Sequence, residues 1–96
     1  MSPDKKKKLN ILRNKLDKID DSLLILIKKR TNIVNEVLKL KTFKYQIVDK
    51  KRINIILKRI KNKSLILKIN PRITKTIWVN MIRSYINFEK RNFKKK

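Results

Sequence analysis

The 96-residue sequence contains no cysteine, no histidine, no glycine and no alanine. Without cysteine or histidine, the usual zinc, haem and iron–sulfur sites are excluded, as are disulfides, thiol nucleophiles and histidine-dependent acid–base triads. Without glycine, neither a phosphate-cradling loop nor a dinucleotide-binding fingerprint can form, because both need backbone conformations or close approaches that a side chain blocks. We therefore expect no metal and no cofactor.

Acidic residues are scarce: 29 Lys and Arg stand against 7 Asp and Glu, which gives a net charge of +22. The basic residues are mainly Lys, 22 against 7 Arg, and Ile occurs 16 times and Asn 10 times, a set whose codons are rich in A and T. The composition therefore indicates drift in an AT-rich genome, although such a chain is drawn to any polyanion at low salt. The aromatic residues are not interleaved with the basic runs as a base-stacking platform requires. We expect nucleic acid to bind only non-specifically, through net charge.

Long apolar runs are also absent. Residues Met1–Lys8 have the positive start of a secretory signal, but no uninterrupted apolar stretch follows, and no window approaches the roughly 18 apolar residues of a membrane span. We therefore expect a cytoplasmic protein without membrane contact. The length fits a single domain over residues 1–96, with a basic N-terminal extension at 1–7 and a frayed basic tail at 94–96.

The N-terminal half contains a regular apolar seam with alternating steps of three and four residues. Arg30 takes one seam position, and the others are Leu9, Leu12, Leu16, Ile19, Leu23, Leu26, Ile33, Val37 and Leu40. The pattern predicts one helix from about Lys5 to about Phe43. Such a helix would be roughly 55 Å long, whereas a compact monomer of this size has a radius of gyration of roughly 13 Å. The helix therefore needs a partner, as in a simple coiled coil or a larger helical dimer.

Two shorter amphipathic segments follow. Asp49 is a predicted N-cap for a second helix that ends within Lys63–Leu67, and Asn70–Pro71 pairs an N-cap residue with proline at the first position of a third helix, which runs to about Asn92. The apolar stripes of these helices are Ile53, Ile56, Leu57 and Ile60, and then Ile73, Ile77, Trp78, Met81, Ile82, Tyr85 and Phe88. We predict an all-α protein with one long N-terminal helix and two shorter helices.

Several charged residues occupy informative positions on the first helix. Arg30 lies in the apolar seam, where an unpaired guanidinium is costly, so it pairs with an acid, snorkels to solvent or meets a bound anion. Lys41, eleven residues later, points within about 20° of Arg30 on an ideal helix, which favours a bound dianion unless Lys41 is solvated at the helix end. Arg13 is rotated by roughly 100°, so it would reach that pocket only from the second protomer of an antiparallel dimer.

Two further charged positions lie in the shorter helices. Arg52 follows Asp49 by three residues, a spacing that allows a local ion pair. Glu89 is one of only seven acids and ends an apolar stripe, where it is either functional, paired with a nearby Lys, or exposed at a frayed end. The stripe before it consists of Trp78, Ile82 and Tyr85.

Several of these patterns occur in a fixed order along the chain. They are Leu12-Arg13, Asp17, Ile19-Asp20, Leu23-Leu24, Leu26-Ile27 and Arg30, then Lys41, then Val48-Asp49 and Arg52, and finally Pro71, Ile77-Trp78 and Glu89. Together they resemble the all-helical type II chorismate mutases from about Leu9 to Glu89. The resemblance implies three helices per chain that interlock into a homodimer with two sites.

The resemblance also implies roles for the charges. Chorismate is a small dicarboxylate, and its rearrangement to prephenate needs a held conformer and stabilisation of the charge that develops on the ether oxygen. Arg30 and the partner subunit's Arg13 would grip carboxylates, and Lys41 would bind a carboxylate and the ether oxygen. Asp49 and Arg52 would shape the pocket wall and its hydroxyl contacts.

Three positions depart from the usual pattern of the family. Glu89 stands where many members have Gln, whose amide donates to the ether oxygen; an ionised Glu cannot donate, so activity is expected to fall as the pH rises. Ile53 stands where mutases commonly have Glu, and Tyr85 where Ser is frequent, both in the expected substrate pocket. Related isochorismate-pyruvate lyases, which form salicylate, carry an apolar residue at the position of Ile53. The leading interpretation is a chorismate mutase of phenylalanine and tyrosine synthesis; the alternatives are this lyase and a non-catalytic basic helical dimer.

Overall fold

The computed structural model describes residues 1–95; Lys96, the end of the predicted basic tail at 94–96, lies outside them. The described chain is helical and contains no strand. Its elements are α1 (Pro3–Leu40), a short 3-10 helix (Lys44–Ile47), α2 (Lys50–Ile66) and α3 (Pro71–Asn92). The prediction of an all-α chain with one long and two shorter helices is confirmed. Among residues 1–95, no helix combines the length and the apolar character needed to cross a membrane.

The start of α1 lies two residues before the predicted Lys5. The Ser2 hydroxyl oxygen accepts a hydrogen bond from the backbone N–H of Lys5 at 3.3 Å, and Pro3 occupies the first helical position. A serine cap followed by proline satisfies a free N–H and presets φ for the helix. Most of the predicted N-terminal extension at 1–7 is therefore the first part of α1.

α1 ends at Leu40, three residues before the predicted boundary at about Phe43. The side-chain carbonyl of Gln46 accepts hydrogen bonds from the backbone N–H groups of Thr42 at 2.8 Å and Phe43 at 2.9 Å. These bonds compete with continued helix, because both N–H groups would otherwise bond to carbonyls one turn earlier. The aromatic rings of Phe43 and Tyr45 stack at a centroid distance of 5.6 Å over the same turn.

The chain divides into two compact units, and the division lies within α1. The first unit is Met1–Ile33. Its apolar seam is exposed, with each of these five side chains between 49% and 57% accessible: Leu12, Leu16, Ile19, Leu23 and Leu26.

The second unit begins at Val34 and contains the packed helices. In it, α2 packs against α3, and the 3-10 helix contacts α3. Leu38 and Ile47 are its buried apolar residues, at 8% and 3% exposure. The α2 stripe is half-buried as predicted, and so is most of the α3 stripe. Ile73 and Ile77 are the exceptions, since about half of each side chain is exposed.

The α2–α3 pair also buries two hydroxyl groups that the apolar pattern did not identify. Ser64 and Thr74 are 3% and 8% exposed, and their hydroxyl oxygens lie 2.7 Å apart. The Ser64 hydroxyl also lies 2.6 Å from the Ile60 carbonyl and the Thr74 hydroxyl 3.3 Å from the Pro71 carbonyl, so either hydroxyl can be the donor in the bond between them. Because both groups are satisfied, the bond between the helices carries little desolvation cost.

Helices α2 and α3 begin directly after the N-cap residues predicted for them. The Asp49 carboxylate accepts from the backbone N–H of Arg52 at 3.0 Å, and the Asn70 side-chain oxygen accepts from the backbone N–H of Arg72 at 3.0 Å. At the other end of α2, Lys68 has a φ of 58°, in the left-handed region. The N–H of Ile69 bonds to the Ser64 carbonyl at 2.8 Å. This bond is typical of a helix that ends in a left-handed residue, a position that is usually glycine and here is Lys68.

Candidate active site

Within residues 34–95, the most enclosed charged groups are those of Lys41 and Glu89, which form an ion pair. The Lys41 Nζ lies 3.2 Å from Glu89 Oε2, and the two side chains are only 18% and 9% exposed. For comparison, Lys39 and Glu36 form a pair at 3.3 Å in which both side chains are 71% exposed. The Lys41–Glu89 interaction is therefore much more protected from water than a surface pair, and its attraction is screened less.

The position of Lys41 is fixed by the residues around the end of α1. Its backbone N–H bonds to the Leu38 carbonyl at 3.1 Å, one tight turn beyond the helix. The buried side chains of Leu38 and Ile47 flank it on both sides along the chain. The Gln46 side chain closes the turn that follows Lys41, because its carbonyl oxygen accepts from the backbone N–H groups of Thr42 and Phe43. Lys41 is thus held by a closed turn rather than by a free helix end.

Glu89 lies in the last turns of α3, on the face that packs inward. It is 7% exposed, and Tyr85, one turn before it, is half-buried. Glu89 therefore ends an apolar stripe, as predicted. It is paired with a lysine rather than exposed at a frayed helix end, and that lysine is Lys41. The two groups are 48 residues apart in the chain, so tertiary packing of α3 beside the end of α1 produces the pair.

A depression of about 640 Å³ opens beside Lys41. It is lined by Lys41, Tyr45, Gln46, Val48, Asp49 and Lys50. Asp49, one of the predicted pocket residues, therefore borders the same space as Lys41. A volume of this size is typical of small-ligand sites.

The predicted ion pair between Asp49 and Arg52 is not formed within the described residues, so that alternative was wrong. The Asp49 carboxylate instead caps α2 through the backbone N–H of Arg52, and the Arg52 side chain is exposed. Ile53 is half-buried on the inner stripe of α2. The two remaining predicted residues belong to the first unit, where Arg13 is exposed and Arg30 is half-buried.

The Lys41–Glu89 pair leaves hydrogen-bonding capacity on both of its groups. A lysine ammonium group has three donors, and one of them points to Glu89, so two remain for other oxygens. The carboxyl group of Glu89 has a second oxygen beside it. Within residues 1–95, no three Cys, His, Asp or Glu side chains cluster as a metal site would require.

The fold and the site together are those of a small all-helical protein with one protected lysine–acid pair among its described residues. Residues 12–90 match the family model described as chorismate mutase type II. The chain belongs to this family, and all eight predicted site residues lie within the matched range. No curated protein and no solved structure matches the chain.

Gln46 is the residue of this region that sequence reasoning missed. Its side chain shapes the turn that carries Lys41 and also lines the adjacent depression. The sequence signal for this role is that Gln46 follows Phe43 by three residues. At this spacing a Gln side chain can bond to the backbone N–H of the residue that caps a helix.

Proposed function

We propose that this protein is a chorismate mutase, which rearranges chorismate to prephenate for phenylalanine and tyrosine synthesis. The reaction breaks an ether C–O bond and forms a C–C bond within one molecule, so a protein accelerates it by holding the reactive conformer and stabilising charge. The observation that carries the proposal is the protected Lys41–Glu89 pair at 3.2 Å. Family membership over residues 12–90 supports it.

Lys41 is the proposed electrostatic catalyst. Its two remaining donors would bind a substrate carboxylate and the ether oxygen, on which negative charge develops as the C–O bond breaks. Low exposure makes such a contact stronger than the same contact in water. Glu89 would complete the site beside Lys41, at the position where many members of the family carry Gln.

The proposed carboxylate clamp uses both chains of a homodimer. Arg30 would bind from the chain that supplies Lys41, and Arg13 of the partner subunit would complete the site. The exposed seam of the first unit supports a homodimer, because five large apolar side chains at heptad positions gain free energy when a second helix covers them. The proposed pocket walls are Asp49, Arg52, Ile53 and Tyr85.

A product assay tests the proposal. Purified protein is incubated with chorismate and, separately, with isochorismate, and products are identified by chromatography. We expect prephenate from chorismate, and we expect Lys41→Met to lower kcat/KM by about a hundredfold or more. Lys39→Met is the matched control, since it removes a lysine charge only two residues before Lys41, and that lysine belongs to an exposed ion pair. Equal losses in the two variants would overturn the role of Lys41.

Ile53 favours a second candidate, an isochorismate-pyruvate lyase of the same fold. This residue is apolar and half-buried on α2, where mutases commonly carry an acid that contacts a ring hydroxyl. Salicylate and pyruvate formed in the isochorismate incubation, without prephenate from chorismate, would establish the lyase. No product from either substrate would favour a non-catalytic basic dimer.

We also propose a cytoplasmic location and a single mutase domain over residues 1–96. A cytoplasmic location fits a proposed reaction whose substrate and product are small metabolites of amino-acid synthesis. The family match over residues 12–90 supports the domain assignment, because it includes residues from both units of the chain.

A further inference from the structure

A second depression lies on the α2–α3 pair, and none of the predicted site residues lines it. Its volume is about 400 Å³, and its lining residues are Leu57, Lys58, Ile60, Lys61, Pro71, Arg72 and Lys75. The floor is apolar and half-buried, formed by Leu57, Ile60 and Pro71. The four remaining lining residues are all cations. We call this depression the α2–α3 basic groove.

The cations of the groove are arranged as two like-charged pairs. Lys58 and Lys61 are three residues apart on α2, and Arg72 and Lys75 are three residues apart on α3. Neighbours at this spacing on a helix repel each other when they carry the same charge. Within the described residues, none of the four forms an ion pair with an acid.

The surrounding sequence supplies no acid that could compensate. Between Asp49 and Glu89 the chain has eleven Lys and Arg residues and no Asp or Glu. AT-rich drift accounts for the abundance of lysine, and the groove adds an apolar floor between two pairs of cations. The charge of the groove is therefore available to a ligand.

The shape and charge of the groove define the ligand class. An apolar floor of this size accepts a flat ring system, and several cations around it suit a ligand with consecutive negative groups. The backbone N–H of Arg72 already bonds to the Asn70 side chain, so the side chains rather than the start of α3 must hold the anion.

We propose that the α2–α3 basic groove binds a small organic polyanion of the nucleoside polyphosphate type. The ring would lie on Leu57 and Ile60, and the phosphates would meet the four cations. This inference does not depend on the proposed mutase activity. It predicts a site of one ligand per chain, in contrast to the diffuse attraction that a net charge of +22 produces.

The experiment compares two variants that each lose four positive charges. The groove variant carries Lys58→Gln, Lys61→Gln, Arg72→Gln and Lys75→Gln. The control variant carries Gln in place of the four exposed lysines Lys5–Lys8 at the start of α1. Magnesium-free ATP is titrated into the 96-residue protein by calorimetry at fixed moderate ionic strength. We expect one ATP per chain, an affinity loss of about tenfold or more in the groove variant, and less than about twofold in the control.

Two further probes separate the ring from the charge. Adenosine lacks the phosphates and inorganic triphosphate lacks the ring, so we expect ATP to bind more tightly than either. Equal losses in the two variants, or triphosphate binding as tightly as ATP, would overturn the proposal in favour of bulk charge. An oligonucleotide that displaces ATP with an affinity that grows with its length would overturn it in favour of a nucleic-acid surface. A changed oligomeric state in the groove variant would instead assign the groove to a subunit interface.

Discussion

Removal of Lys41 should destabilise the protein far more than removal of a neighbouring lysine. Lys41→Met leaves the Glu89 carboxyl, 7% exposed, without its partner. Breaking a fully buried pair in this way costs about 3–5 kcal/mol. Because the Lys41 side chain keeps 18% exposure, we expect about 2 kcal/mol of lost unfolding free energy. Lys39→Met breaks an exposed pair, so its expected cost is about 0.5 kcal/mol or less.

The assay is urea unfolding followed by helical circular dichroism at one protein concentration, since association shifts apparent stability. A third variant combines Lys41→Met with Glu89→Leu, which removes both charges and keeps the volumes similar. We expect it to recover most of the loss, because the cost of Lys41→Met lies in the carboxyl left behind. Equal stability of the Lys41→Met and Lys39→Met variants would refute the reasoning. Failure of the double variant to recover would show that the loss has another cause.

The remaining predictions concern the α2 end, the buried hydroxyl bond and the acid of the site. Lys68→Gly should raise the unfolding free energy by about 1 kcal/mol, because Lys68 has a φ of 58°, a conformation that glycine adopts without strain. Lys61→Gly, within α2, should lower it by about the same amount, and urea unfolding measures both. Thr74→Val should cost about 1–2 kcal/mol through its lost bond to α2, and a loss no larger than that of the exposed Thr76→Val would contradict this. Glu89→Gln should leave mutase activity at or above the native level, because a Gln amide can donate to the ether oxygen; a loss as large as that of Lys41→Met would count against the role of this position.

Local signals in the sequence predicted well where α2 and α3 begin. Asp49 and Asn70–Pro71 act through neighbouring backbone groups, so their effect can be read without knowledge of the tertiary structure. Ser2–Pro3 carries the same signal as Asn70–Pro71, and it was overlooked because the lysine run was interpreted as an extension. The early end of α1 was not predicted because it depends on the side chain of Gln46.

The long-range parts of the structure were harder to predict. Glu89 was recognised as an acid on an apolar face, but spacing alone did not identify Lys41 as its partner, since the pair depends on how α3 packs. Thr74 lies four residues before Trp78 on the same face of α3, so its burial could have been found, but a polar side chain is not counted in an apolar pattern. Ile73 and Ile77 were assigned to the covered stripe and are exposed, because that stripe is wider than the face that α2 covers.

Subunit complementation tests most directly whether the mutase site is built from two chains. Arg13→Ala and Lys41→Met should each abolish most activity alone. In a heterodimer of the two variants, one site combines intact Lys41 with the partner subunit's intact Arg13, while the other site has lost both. Co-refolding equal amounts should therefore restore about one quarter of native prephenate formation, since about half of the dimers are mixed and each has one good site. Activity that stays at the level of the separate variants would contradict a shared site.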